Sequence, residues 1–327
     1  MEPGGRIMTK YGFGGRLKEE FPSQIIVDVT EVCNLACTHC PHSDFVKSPN
    51  YGARMLDPQL NKKMVNEVRE HGADYTQYIR YSSSGEALIH PNIIDIIGYA
   101  VRYSNTFVTL TTNGTLMNSR ISESLINVGL DAIDISVDAL TSETYSKIRV
   151  NGNYNKTVSN VINFIKLREQ APKKTKVVVS FVEQPQNSHE AAGFKRFWKD
   201  MGADYVVIRR LHSAAGAKPI IAQEMKSCTK ERKPCIYPWE RIVLNAKGFL
   251  AFCPAAWQEG SDIVDYHKTT IAETWKNLYY INLRNAHLIN DFTGFDFCGQ
   301  CPDWQQVRWP EEGRSYADMI GEFSKDE

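Results

Sequence analysis

Eight cysteines, Cys33, Cys37, Cys40, Cys228, Cys235, Cys253, Cys298 and Cys301, are the residues of this chain best placed by type and spacing to do chemistry. Five of them stand in a close triplet or pair. Clustered thiols in a reducing compartment read as metal ligands or catalytic groups before they read as disulfides. Cys33-Asn-Leu-Ala-Cys37-Thr-His-Cys40 places three thiolates within eight residues. Thiolates are the usual ligands of iron–sulfur clusters, and three can wrap three corners of a cubane. A zinc site would want a fourth ligand, which His39 or His42 could supply. Further on, Cys235 precedes and Cys253 ends a hairpin-like stretch, where Gly248 permits the positive φ of a turn. Cys298-Gly-Gln-Cys301 is a C-x2-C followed by Pro302. These four thiolates could enclose a complete cluster with no open iron, and zinc with four cysteines satisfies the same count. Cys228 belongs to neither set; a simple buried or surface thiol is its plainest reading.

The elements that must position these thiols alternate. Apolar runs at residues 24–29, 78–82, 107–112, 132–137, 176–182 and 205–209 read as strands. Residues 57–71, 92–103, 119–128, 142–148, 154–168 and 191–201 read as helices, with Val158, Val161, Ile162 and Ile165 on one face of the fifth. Six strand–helix repeats with right-handed crossovers imply a parallel sheet, curled or open. Ligands of such sheets sit at the carboxyl ends of the strands, where the polar loops begin. Beyond Leu211 the pattern changes: residues 212–219 are linker-like, 241–246 and 249–253 read as a hairpin, and 271–289 reads as a helix.

Composition bounds the rest. The chain has 327 residues, 42% hydrophobic and 23% charged, ordinary for a globular protein with a real core. Lys plus Arg and Asp plus Glu both total 38, which argues against a nucleic-acid binder built on phosphate neutralisation. No apolar run approaches a membrane span. The first twenty residues are Gly-rich and charged without an apolar signal core, so the cytoplasm is the expected compartment.

The three-cysteine loop and the motifs downstream of it resemble the radical S-adenosylmethionine (SAM) superfamily. The resemblance implies a partial (β/α)6 barrel with the loop after its first strand. It implies a 4Fe–4S cluster on Cys33, Cys37 and Cys40 whose fourth iron is left for the amino and carboxylate groups of SAM. His39 fills the position, commonly aromatic in the family, that packs near the adenine. Ser84-Gly85-Glu86 is similar to the glycine–glutamate element that receives the methionine amino group, with Ser84 where glycine is usual. Thr112-Asn113-Gly114 resembles the family's T-N-G element, and Ser136-Val137-Asp138 its S-x-D element near the ribose. Arg149 resembles the arginine that pairs with the methionine carboxylate, a bidentate task suited to guanidinium. Taken singly, these are also ordinary turn and cap residues.

The second cysteine set resembles the SPASM/Twitch extension of the same superfamily. Only enough cysteines exist for one auxiliary 4Fe–4S cluster, which fits the shorter Twitch form. The spacing is similar to that of the 2-deoxy-scyllo-inosamine dehydrogenases, whose auxiliary cluster is thought to accept an electron. The implied organisation is an N-terminal extension over 1–23, a radical SAM core over 24–210, and a Twitch-like domain with a C-terminal tail over 211–327. The implied reaction generates a 5′-deoxyadenosyl radical that abstracts hydrogen from a carbon bearing a hydroxyl on a small polar molecule. A flavodoxin or ferredoxin is the expected electron donor. Arg209 and Arg210 stand at the end of the sixth strand as substrate-binding or deprotonating groups. Neighbours on a strand face opposite sides, so at most one points inward, and the high pKa of arginine makes anchoring its natural role. Glu183 is a further candidate base. Cys228 could return a hydrogen atom in an epimerase.

Peptide maturation is another occupation of such enzymes. The 32 residues before Cys33 are too few for a leader-recognition domain, so the expectation is against it. Molybdenum-cofactor cyclase also pairs two clusters, but its Gly-Gly tail has no counterpart in Ser324-Lys-Asp-Glu327, and the expectation is against that too. An electron carrier or a zinc-stapled module would need no SAM elements.

Overall fold

Gln24–Asp28 forms strand β1, with Ile25 and Val27 in the core beneath the helices and Ile26 on the opposite face. This alternation recurs across β2 (Tyr78–Ser82), β3 (Phe107–Thr112), β4 (Ala132–Ser136), β5 (Lys176–Glu183) and β6 (Tyr205–Arg210). The computed structural model describes residues 10–82, 84–227, 231–255 and 261–325. β1 to β6 lie side by side in chain order, all parallel. Right-handed crossovers put the connecting helices on one face, leaving a concave lumen on the other: the partial barrel expected. Helix starts are capped by Asp57, Asn118, Thr141 and Asn153, each accepting a backbone N–H. Among the described residues no helix is long and apolar enough to cross a membrane.

The sheet does not end with β6. β7 (Arg241–Leu244) pairs in parallel with the other edge of β1. β8 (Phe249–Ala251) and β9 (Asp262–Asp265) follow antiparallel, giving nine strands in one sheet. The expected hairpin is β7–β8, whereas β9 adds a strand that its short, acid-flanked run does not announce. The expected helix over 271–289 is two helices, Ile271–Trp275 and Leu278–Ile289. Asn277 breaks the run by capping the second, its side chain accepting from the Tyr280 N–H.

Described segments before and after the sheet strands, around Leu17 and over Tyr316–Phe323, pack on the body. Leu17 is buried with Ile236, Trp239 and Trp309, and the Trp275 indole donates to the Lys18 carbonyl. The helix Tyr316–Phe323 enters the lumen at the end where the strands start. There Ala317, Met319, Ile320 and Phe323 pack on Ile26, Tyr78, Phe107, Ala132 and Val178. That helix closes the floor and leaves the carboxyl ends of the strands as the mouth.

Candidate functional site

The cysteine loop is fastened at the mouth almost entirely through backbone. The β1–β2 ladder runs on past both strands, with Gly85 N–H donating to the Thr30 carbonyl (2.9 Å) and Glu86 N–H to the Val32 carbonyl (2.8 Å). A Cβ on Gly85 would stand 1.9 Å from the Val32 oxygen, so only glycine fits. On the far side, Ala36 N–H donates to Val150 O and Thr38 N–H to Ile148 O, 3.0 Å each. Between these, Asn34 exchanges hydrogen bonds with Asn113 (3.0 Å) and Thr115 (2.8 Å). Every SAM-related element named from sequence except Ser136-Val137 is thus tied to this loop directly or through one neighbour.

Glu86 is buried and accepts from Thr112 Oγ1 (2.6 Å), Asn113 N (2.7 Å) and Leu88 N (3.1 Å). Burial pushes its carboxyl up against the pull of these bonds. Ser136 faces the lumen beside Ser180. Asp138, fully buried with a left-handed φ of 63°, accepts from Val182 N (2.7 Å) and from the Arg149 guanidinium (2.8 and 2.5 Å). Arg149 therefore grips a carboxylate of its own chain. His39 sits between Gln184 (3.4 Å) and Asp138 (3.7 Å); burial drives its pKa down to about 4. His42 Nε2 is engaged by the Glu31 carbonyl at 2.8 Å. Both histidines have partners other than the thiols, which weakens the zinc reading of the first set.

Burial pushes the Cys33 thiol up to about 12 and Cys40 up to about 11, each also raised by charge on its neighbours. Free thiols so placed keep their protons; a cationic group is what turns such thiols into ligands. The donor set fits an iron–sulfur group bound through three thiolates.

The second set is assembled across the chain. β8 runs back antiparallel to β7, carrying Cys253 toward Cys235, and the short helix Asp296–Gln300 brings Cys298 and Cys301. Burial raises all four thiols, and charge on Cys235, Cys298 and Cys301 raises Cys253 further. Two buried N–H donors beside them, Arg232 Nε and His287 Nε2, have no partner. Orphaned buried donors next to four thiols fit a group with acceptor sulfurs. Among the described residues, no three His, Cys, Asp or Glu side chains converge on a single-ion point; the fit rests on donor chemistry.

Of the remaining sequence candidates, Arg209 faces the lumen, where it donates to Asp134 (2.5 Å) and Ser180 (3.2 Å). Arg210 and Glu183 pair with each other in register on the opposite side, both exposed. Cys228 lies outside the described residues. The sequence reading missed two lumen carboxylates. Asp134 is 1% exposed and also takes Arg80 at 3.3 Å, with both guanidinium groups above the Tyr316 ring. Asp28 accepts from Ser84 N (2.8 Å) and Oγ (2.6 Å), and burial lifts its pKa to about 6. Strand alternation was the signal for both, since each falls on the non-helix face. Asp303 was also missed; its oxygens collect Ser213 N, Ser213 Oγ and Ala215 N, joining the segment after β6 to the second set.

Comparison with known proteins agrees with this geometry. Residues 27–179 match the model of the Radical SAM superfamily. A probable GTP 3',8-cyclase of Methanocaldococcus jannaschii is 28% identical over 195 residues, 59% of this chain and 61% of that protein. The chain spans less than two thirds of the length of the first curated relatives it matches. Among solved structures, BtrN in complex with AdoMet and 2-DOIA aligns with a TM-score of 0.57 at 17% identity, covering 85% of this chain and 92% of BtrN. Streptococcus suis SuiB bound to precursor peptide SuiA aligns with a TM-score of 0.64 at 12% identity, covering 92% and 73%. At these identities the likeness is one of fold. Residues 27–179 thus resemble the radical SAM superfamily in sequence, and the chain resembles BtrN in fold.

Proposed function

We propose that this protein is a radical SAM oxidoreductase with two 4Fe–4S clusters, one on Cys33, Cys37 and Cys40 and one on Cys235, Cys253, Cys298 and Cys301. Cys33, Cys37 and Cys40 would hold a cluster that supplies the electron for reductive cleavage of SAM, and Cys235, Cys253, Cys298 and Cys301 a cluster that takes up an electron, so that together they would supply the two-electron oxidation of a carbinol to a ketone, with the hydroxyl proton lost to solvent. The observation that carries the reading is the fastening of the cysteine loop to the Gly85-Glu86, Asn113 and Asp138–Arg149 elements at one mouth of the barrel.

On this reading the chain's own residues orient and shield. Glu86, with Thr112 and Asn113 already on its oxygens, holds the loop beside Cys33 and offers its remaining lone pairs to the methionine amino group. Asp138 aims Arg149 toward the Cys37 side of the loop, where the methionine carboxylate would lie. His39, kept neutral by burial, provides a flat face for the adenine. Ser136 and Arg209 line the lumen below, and Asp134 fixes Arg209 as an anchor for a polar substrate. The helix Tyr316–Phe323 keeps water out from beneath. The second set, with residues 211–325 around it, is read as a Twitch-type addition built onto the β1 edge of the same sheet. A flavodoxin or ferredoxin would donate the first electron. A sugar or aminocyclitol alcohol is the proposed substrate class.

The test is anaerobic incubation of the reconstituted protein with SAM, a reductant and candidate sugars, aminocyclitols and GTP. Stoichiometric 5′-deoxyadenosine with ketone formation supports the proposal. Stoichiometric 5′-deoxyadenosine with solvent hydrogen in the product and no ketone would mark an epimerase, and a cyclised nucleotide would mark a cyclase; either result overturns the dehydrogenase reading.

A further inference from the structure

We propose that Arg232, assisted by His287, sets the reduction potential of the group held by Cys235, Cys253, Cys298 and Cys301 and biases it toward accepting an electron. The proposal rests on the reading that these four thiols hold an iron–sulfur cluster.

Three features place the charge and hold it there. The guanidinium fork donates to the Cys298 carbonyl (2.6 Å) and the Gly299 carbonyl (2.9 Å), so it is locked onto the C-x2-C turn. Phe292 lies beneath it at 4.0 Å and Trp304 beside it at 5.9 Å; apolar walls lower the local dielectric and lengthen the reach of a charge. Burial weighs against the charge of Arg232, the thiols of Cys301, Cys298 and Cys235 are the ionisable groups that favour it, and among the described residues no carboxylate pairs with it. A cation next to thiolates favours the more negative, reduced state of a cluster, because cluster potential follows local charge and hydrogen bonding to sulfur.

The orphan donors supply the second term. His287 Nδ1 accepts the Cys235 N–H at 3.3 Å, so the ring proton belongs on Nε2. That Nε2 and Arg232 Nε are buried without partners. Other buried nitrogens, Arg168 Nε and Trp198 Nε1 among them, are also unmet; what sets this pair apart is that both side chains hydrogen-bond the backbone of the cysteines, Arg232 at Cys298 and His287 at Cys235. Cluster sulfurs are acceptors of the right kind. The first thiol set has the opposite arrangement: its nearby guanidinium, Arg149, is neutralised by Asp138, whose Oδ2 takes both its Nε and Nη2. An unneutralised cation beside one set and a neutralised one beside the other would separate the two potentials in the direction that electron flow to the second cluster requires.

The experiment is a redox titration of the full-length, anaerobically reconstituted protein, followed by electron paramagnetic resonance, with R232Q, R232K and H287F. The expected result for R232Q is a tenfold or larger shift of the second cluster toward the oxidised state, about 59 mV per tenfold for a one-electron couple. R232K keeps the charge and is expected to shift far less; H287F removes one donor and is expected to shift the same way by a smaller factor. The first cluster's potential stays put in all three. An unmoved second potential in R232Q, or equal shifts in R232Q and R232K, overturns the proposal. If R232Q loses its second cluster, R232K and H287F carry the decision, and no shift in H287F overturns it. A wild-type protein without a second cluster signal removes the underlying reading and the proposal with it, and iron analysis tells that case apart.

Discussion

The two thiol sets of this molecule are built on opposite plans. The first is a single loop, eight residues from Cys33 to Cys40, pinned by main-chain hydrogen bonds to the loops after β2 and near Arg149. The second gathers cysteines from three distant segments and is pinned by side chains, Arg232 on the Cys298 carbonyl and Asp303 on the 213–215 turn. A backbone-fastened loop with three thiols keeps one face free for a second molecule. Four thiols drawn from three segments would leave no iron of a cubane open. The contrast extends to charge, since Arg149 is paired with Asp138 while no carboxylate among the described residues pairs with Arg232.

Two substitutions probe that contrast, and both should act on the first set while sparing the second. Arg149→Met strands Asp138 as an uncompensated buried carboxylate. Breaking a buried pair in this way costs about 3–5 kcal/mol. Chemical denaturation should show that loss, and the refolded variant should bind SAM poorly while its second cluster stays intact. Loss of both clusters together would mean the sets are not independent. Gly85→Ala drives a methyl into the Val32 carbonyl. Overpacking of this kind costs about 1–3 kcal/mol. Iron analysis should find the first cluster depleted selectively; full occupancy would show that the loop tolerates displacement.

The smallest effect concerns pH. Asp28 has its folded-state pKa raised from 3.8 to about 6. The folded state therefore binds the proton more tightly than the unfolded chain, and stability falls as pH rises from 3.8 toward about 6 and is level above. Asp28→Asn should flatten that stretch of the denaturation midpoint against pH. An unchanged slope would assign the pH dependence to other groups.

Much of this was legible in the sequence for a physical reason. Strands buried on both faces read as near-continuous apolar runs, and β1 and β5 announce themselves that way. The helices Ser142–Ile148 and Tyr154–Arg168 begin where Thr141 and Asn153 offer caps. Strand alternation foresaw that only one of Arg209 and Arg210 faces the lumen. What stayed hidden depends on tertiary placement. Asp28 and Asp134 look like isolated acids in apolar strands until the sheet curls around them. The Arg149–Asp138 grip depends on a left-handed residue at position 138, unusual for a side chain other than glycine. The lumen-closing helix Tyr316–Phe323 carried a readable signal, the Ser315–Asp318 capping box, but nothing local says that it folds back under the barrel.

The most direct test of two sets with divided labour is iron analysis and electron paramagnetic resonance of the anaerobically reconstituted protein before and after SAM is added. Two 4Fe–4S clusters predict about eight irons per chain and two reduced-cluster signals, of which SAM alters one. In a Cys298→Ala/Cys301→Ala variant, about four irons should remain, still responsive to SAM. Zinc in the second set, or a remaining signal that SAM leaves unchanged, would contradict the account.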